Sequence, residues 1–107
     1  MLVETFSDPR VNMRAVLLNK VAVTGNGEWC ETAGYDKLSI HIKKDSGATL
    51  SAQVYVSNEA SPAADGGVAY GTAVTASALF EIKIPVRWVR LAPTISGGAV
   101  SAYLEAV

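Results

Sequence analysis

From Lys37 to Lys43 the chain reads Lys-Leu-Ser-Ile-His-Ile-Lys, with every second residue apolar. Successive side chains of a strand point to opposite faces, so strict period two puts Leu38, Ile40 and Ile42 on one face and Lys37, Ser39, His41 and Lys43 on the other. A helix would scatter the same residues around its axis. A second run repeats the pattern, with Leu50, Ala52, Val54 and Val56 on one side and Ser51, Gln53, Tyr55 and Ser57 on the other. Lys44-Asp45-Ser46-Gly47 between the runs has turn chemistry, and the two runs read as a hairpin.

The same grammar fills the rest of the chain. Val68, Tyr70, Thr72 and Val74 make a weaker strand, and Ala78, Phe80, Ile82 and Ile84 a strong one. Pro85 ends that ladder and Pro93 ends the next, because proline cannot donate a backbone hydrogen bond. Expected strand segments are 14–24, 37–43, 49–57, 78–84, 86–92 and 99–106, with a further strand starting in Glu28-Trp-Cys-Glu-Thr32. Val11 to Lys20 could form three helical turns behind Asp8-Pro9, but its unbroken run into Val21-Ala-Val23 favours a strand. Composition agrees: Ala and Val supply 29 of the 107 residues and Leu only 8. Seven or eight short strands define an all-β fold, a small antiparallel β-sandwich. Leu38, Ile40, Ile42, Val54, Val56, Phe80, Ile82 and Ile84 are its expected core. Residues 1–13 form an N-terminal arm or edge strand, and residues 14–107 the sandwich domain.

Charge and side-chain chemistry exclude several function classes. Nine Lys and Arg against ten Asp and Glu give a net charge of −1, which does not suit general binding of nucleic acid. A single Cys and a single His cannot supply an internal disulfide or a zinc tetrad. No apolar run approaches the ~20 residues of a membrane helix, and the N-terminus lacks a signal-type core. The expectation is therefore a protein made in the cytoplasm, with no membrane, metal or cofactor.

No catalytic set stands out. His41, the one conventional base, sits at an outward strand position, and Cys30 reads as a small buried apolar residue. Glu28 and Glu31 fall at opposite parity, so they cannot work as a pair. Glu59 and Asp65 share a loop but lack the dense carboxylate spacing of a calcium site. Gly25-Asn-Gly27 and Gly66-Gly67 read as turns rather than a phosphate cradle. In Arg87-Trp-Val-Arg-Leu91, parity places Val89 and Leu91 inside, leaving Trp88 and Arg90 together on the outer face. That pair could stack and contact a sugar ring or a protein. The ten-residue polar stretch 58–67 is long for a small sandwich, and such loops often carry contact surfaces.

Gly34-Tyr-Asp-Lys-Leu-Ser-Ile40, Val54-Tyr-Val-Ser-Asn58, Phe80 to Pro85, Arg87-Trp-Val-Arg-Leu91 and Gly97-Gly-Ala-Val-Ser-Ala102 together resemble small β-sandwich virion proteins of tailed bacteriophages, of the capsid cement and decoration type. The resemblance runs from Gly34 to Val107. It implies a jelly-roll-like sandwich with an extended N-terminal arm, on the capsid surface of a virion. The function it implies is non-enzymatic: a subunit that binds the major capsid protein and copies of itself and stabilises the shell. It uses no small-molecule substrate. The residues expected to meet partners are Leu2, Val3 and Phe6 of the arm, Asn58, Glu59 and Asp65 of the loop, and Trp88 with Arg90. Val54 to Ser57 and the Arg-Trp-Val-Arg-Leu strand also resemble discoidin-type carbohydrate-binding sandwiches. The alternative is thus a sugar-binding or adhesion module of a phage tail or fibre, or of a bacterial surface protein.

Overall fold

A computed structural model of the chain describes residues 13–107. They form eight strands: β1 Met13–Val21, β2 Cys30–Glu31, β3 Leu38–Lys44, β4 Thr49–Ser57, β5 Val68–Val74, β6 Ala78–Ile82, β7 Trp88–Ser96 and β8 Val100–Ala106. Two four-stranded sheets result, ordered β1-β8-β3-β6 and β2-β7-β4-β5. All pairings are antiparallel, and β1 pairs with β8, β2 with β7, β3 with β6 and β4 with β5. An antiparallel ribbon nested in this way and rolled into two facing sheets is a jelly roll. Of the arm or edge strand expected at residues 1–13, residues 1–12, with Leu2, Val3 and Phe6, lie outside the described residues, and Met13 is the first residue of β1.

Alternation explains the core. Leu38, Ile40 and Ile42 of β3 and Val100, Ala102, Leu104 and Ala106 of β8 turn inward from one sheet. Leu50, Ala52, Val54 and Val56 of β4, with Val89, Leu91 and Ile95 of β7, meet them from the other. Val11 to Lys20 resolves in favour of a strand from Met13 onward. β1 carries two bulges, since Val16 and Leu18 pair with the adjacent Tyr103 and Ala102, and Val21 with Val100. Each bulge adds one residue to β1. Lys20 adopts φ 52° within the second, and Leu18 comes to face inward.

Four expectations need correction. The two runs at 37–43 and 49–57 are strands, but not a hairpin: β3 pairs with β6 and β8, and β4 with β5 and β7. The 45–48 turn is instead a corner between sheets, which sets the two apolar faces opposite each other rather than side by side. Asp45 locks the corner by accepting the Ala99 amide at 2.9 Å, while its own amide donates to the Ala99 carbonyl at 2.9 Å.

Ile84 is not in the core. β6 ends at Ile82, the last residue paired with β3, and Ile84 is 47% exposed beyond the ladder. Phe80 is half-buried at the sheet edge rather than fully enclosed.

Pro93 does not end β7, which runs on to Ser96. The N–H and C=O of one strand residue point to the same side, and those of Leu91, Pro93 and Ile95 point away from β4. Gly27 donates to the Leu91 carbonyl and Gly25 to the Pro93 carbonyl, at 2.7 and 3.2 Å, while the Thr24 hydroxyl accepts the Ile95 amide. The missing N–H therefore falls outside the β4 ladder, where a proline is tolerated.

Candidate functional site: a pinned loop on the outer sheet face

Outward positions of the β2-β7-β4-β5 sheet assemble a polar and aromatic cluster. Tyr55 and Arg90 are register partners on β4 and β7, and Ser57 and Trp88 are the next outward pair. On the far side of β7, Glu31 of β2 stands opposite Trp88, and Trp29 lies two residues back along the chain on the same face. As parity predicted, Val89 and Leu91 face the interior with no exposure, and Trp88 and Arg90 share the outer face.

Arg90 is nevertheless enclosed, with 2% of its surface exposed. Its guanidinium carbon lies 4.2 Å from the centre of the Tyr55 ring and 5.1 Å from that of Trp29. Cation–π attraction is strongest where water is excluded. The rings that stack on Arg90 are these two, not Trp88. Its hydrogens are also used: Nη2 and Nε donate to the Gly66 carbonyl at 2.7 and 3.2 Å, and Nη1 to Asn26 Oδ1 at 3.2 Å. A buried charge is costly unless its donors find partners, and here the Gly66 carbonyl and the Asn26 side chain engage all three guanidinium nitrogens.

The loop is the 58–67 segment, which joins β4 to β5. Three of its carbonyls accept side-chain hydrogens from the sheet below. Trp88 Nε1 donates to Glu59 at 3.0 Å, Trp29 Nε1 to Ala63 at 2.7 Å, and Arg90 to Gly66. Asn58 closes the near end, its Oδ1 accepting the Arg87 amide at 2.8 Å, and the Ser57 hydroxyl accepts the Glu59 amide at 3.1 Å. Gly66 donates to Ala63 at 2.9 Å in a tight turn. Gly67 closes the far end at φ 95°, and a Cβ there would stand 2.6 Å from Trp29 Cη2. Both the left-handed backbone and the ring contact call for glycine.

The expected contact residues therefore divide. Asn58, Glu59 and Asp65 lie on the exposed surface of the loop, although the Asn58 side chain and the Glu59 carbonyl are engaged in anchoring. Trp88 and Arg90 are the posts beneath them. Trp29 and Tyr55 are far apart in the sequence; the register of β2, β7 and β4 brings them together. The only sequence signal for this was the outward parity of Tyr55 and Arg90.

Other groups singled out in the sequence lie elsewhere. His41 is exposed on the outer face of the other sheet, 6.0 Å from the Tyr103 ring between centres. Cys30 faces inward at the short β2 edge and is half-buried. Burial, reinforced by the nearby Glu31 charge, pushes its thiol pKa above the ordinary value. Glu31 in turn lies 3.7 Å from Arg87 in an exposed pair. Among the described residues, no three His, Cys, Asp or Glu side chains gather as a metal site would require.

Strand order and pinned loop together define the class of protein, an eight-stranded jelly roll with a structured β4–β5 connection on one sheet. Among solved structures, the chain is similar in fold to the SPBc2 prophage-derived protein YomS, with a TM-score of 0.73 and 12% identity over 90% of this chain and 92% of that one. A structure of infectious bursal disease virus, Gt strain, aligns at a TM-score of 0.47 and 14% identity over 94% of this chain and 35% of that one. No protein-family model matches the chain, and neither does any curated protein sequence.

Proposed function

We propose that this protein is a non-enzymatic structural component of a bacteriophage virion, a capsid cement or decoration subunit that binds the major capsid protein and copies of itself. The observation that carries the reading is the pinned loop. Trp29, Trp88 and Arg90 hold three loop carbonyls, so the exposed tip, including Glu59, Ser61 and Asp65, is presented in one conformation. Ordering a contact loop before binding removes much of the entropy cost of association, which suits a weak contact repeated across a shell. The fold shared with a prophage-derived protein supports the same reading. In it, Leu2, Val3 and Phe6 of the arm add apolar contact, worth roughly 1.5–3 kcal/mol for each side chain buried. Asn58, Glu59 and Asp65 set register.

The alternative, a sugar-binding module, would use aromatic ring faces. Arg90 already covers one face each of Trp29 and Tyr55. The test is co-sedimentation of the purified protein with phage heads lacking their auxiliary proteins. Saturable, stoichiometric attachment that Glu59→Lys with Asp65→Lys weakens supports the proposal. No attachment, together with saturable binding on a glycan array, would replace it with the sugar-binding reading.

A further inference from the structure

Gly25-Asn-Gly27 reads as a turn in the sequence, but its central residue touches the cation of the loop anchor. Asn26 is exposed, and its Oδ1 accepts a hydrogen from Arg90 Nη1 at 3.2 Å. Arg90 is buried, and among the described residues no carboxylate pairs with it; the ion pairs there are Arg14 with Glu105 and Arg87 with Glu31. Its hydrogen-bonding side-chain partner is a neutral amide, at the position where a carboxylate would complete the charge pair.

Four asparagines occur in the chain, and Asn26 alone precedes a glycine. That neighbour matters because the backbone nitrogen of the following residue can attack the asparagine side chain, and a glycine adds no Cβ to hinder it. Gly27 N gives its proton to hydroxide and bonds to Asn26 Cγ. The Cγ–Nδ2 bond breaks, Nδ2 takes a proton from water, and ammonia leaves a five-membered succinimide. Water then adds at Cγ, the new bond to Gly27 N breaks, and a side-chain carboxylate remains on an unaltered backbone. Water is consumed, ammonia is released, and nothing is oxidised or reduced.

The fold sets the pace of this chemistry. Gly27 donates its amide to Leu91 at 2.7 Å and Gly25 to Pro93 at 3.2 Å, so the nucleophile is held while these bonds last. They belong to a short segment at the sheet edge, and such segments open locally at a free energy below that of global unfolding. Closure then returns the product carboxylate to the guanidinium. Little desolvation opposes the pairing, since Arg90 is already enclosed and residue 26 is exposed. Charge-assisted hydrogen bonds are roughly twice as strong as neutral ones.

We propose that Asn26 is a self-modification site: it deamidates through attack by the Gly27 nitrogen, and the aspartate formed pairs with buried Arg90 and fastens the loop that this cation pins.

The test holds the folded full-length protein at mildly alkaline pH and reads every asparagine by peptide mass spectrometry, with isoaspartyl methyltransferase to tell the two product linkages apart. Conversion at position 26 to normally linked aspartate is expected, with Asn12, Asn19 and Asn58 unchanged. An amide kept at position 26 after the urea-unfolded chain has converted overturns the modification, and a mainly isoaspartyl product overturns the pairing. Asn26→Asp should raise the folding equilibrium constant about fivefold and slow exchange of the Gly66 amide, and both gains should vanish in an Arg90→Met background. Equal gains in the two backgrounds, or none, overturn the pairing. Titration of the new carboxyl in Asn26→Asp reads the same contact without a second substitution. A pKa below the ordinary aspartate value is expected, and an ordinary one overturns the pairing.

Discussion

Tyr55 and Arg90 face each other across β4 and β7, and the guanidinium carbon stands 4.2 Å from the centre of the tyrosine ring. The pair converts a sheet surface into a loop anchor. Tyr55 and Trp29 stack on the cation, whose hydrogens reach over the sheet to the Gly66 carbonyl and to Asn26.

Arg90→Met should therefore release the loop while leaving the sandwich folded. Hydrogen bonds from a charged donor are worth about 1.5–3 kcal/mol and a desolvated cation–π contact up to ~2. These terms overlap, so the expected loss in urea denaturation is about 2–4 kcal/mol. Arg90→Lys keeps the charge but not the planar fork, and should recover only part of that loss. Hydrogen exchange at the Gly66 amide, which bonds to Ala63, reports the loop directly. Slow exchange in Arg90→Met would mean that the two indoles suffice as anchors.

Gly67 and Gly25 make a controlled pair. At Gly67 a methyl group would meet Trp29 Cη2 at 2.6 Å and the Val56 carbonyl at 3.0 Å, at φ 95°, whereas at Gly25 nothing lies within 4 Å. Gly67→Ala should cost about 1–3 kcal/mol through strain and displacement of the indole. Gly25→Ala should fall within ~0.5 kcal/mol of the parent. Thermal or urea unfolding of the two variants, with indole fluorescence as probe, checks both.

What the sequence made legible follows from parity. Alternation identifies which side of β3, β4 and β7 faces inward without knowledge of any partner strand, and so it places Val89 and Leu91 inside with Trp88 and Arg90 outside. Parity is silent on pairing. It cannot tell a hairpin from a corner, so β3 and β4 look like one hairpin although they lie in different sheets, nor can it say where a ladder stops. Ile84 continues the apolar alternation of β6 after its partner strand has ended. Pro93 looks like a terminator because a proline lacks its donor on any side, whereas only the side facing β4 matters and β7 runs through it. The Trp29–Arg90–Tyr55 cluster depends on the register of three strands far apart in the chain, and register is set by the folded sheets.

Ile40 and Ile84 test the corrected core. Ile40 is fully buried and Ile84 is 47% exposed. Truncating a buried Ile to Ala costs about 2–5 kcal/mol, so Ile40→Ala should be strongly destabilised and Ile40→Asp should not fold. Ile84→Ala should change stability by less than ~1 kcal/mol, and Ile84→Asp should remain soluble and folded. Circular dichroism and urea titration of the four variants decide it; an unfolded Ile84→Asp would restore that residue to the core.

Cys30 couples stability to alkaline pH. Its thiol pKa is raised in the folded protein, first by burial and then by the charge of Glu31. The folded state thus holds the thiol proton more tightly than the unfolded chain does. The stability this contributes is fully present below the unfolded thiol's pKa, and is lost as pH rises through the folded value, because the unfolded chain ionises first. Cys30→Ala removes the titrating group while keeping a small apolar side chain at the β2 edge. The difference in stability between parent and variant should therefore be constant from neutral to mildly alkaline pH and then shift against the parent as the thiolate forms. Tyrosines and lysines titrate in both proteins, so subtracting the two curves largely isolates the thiol. Urea midpoints measured across that range check the sign, and a parent that gained stability over Cys30→Ala at high pH would show that the folded site favours the thiolate.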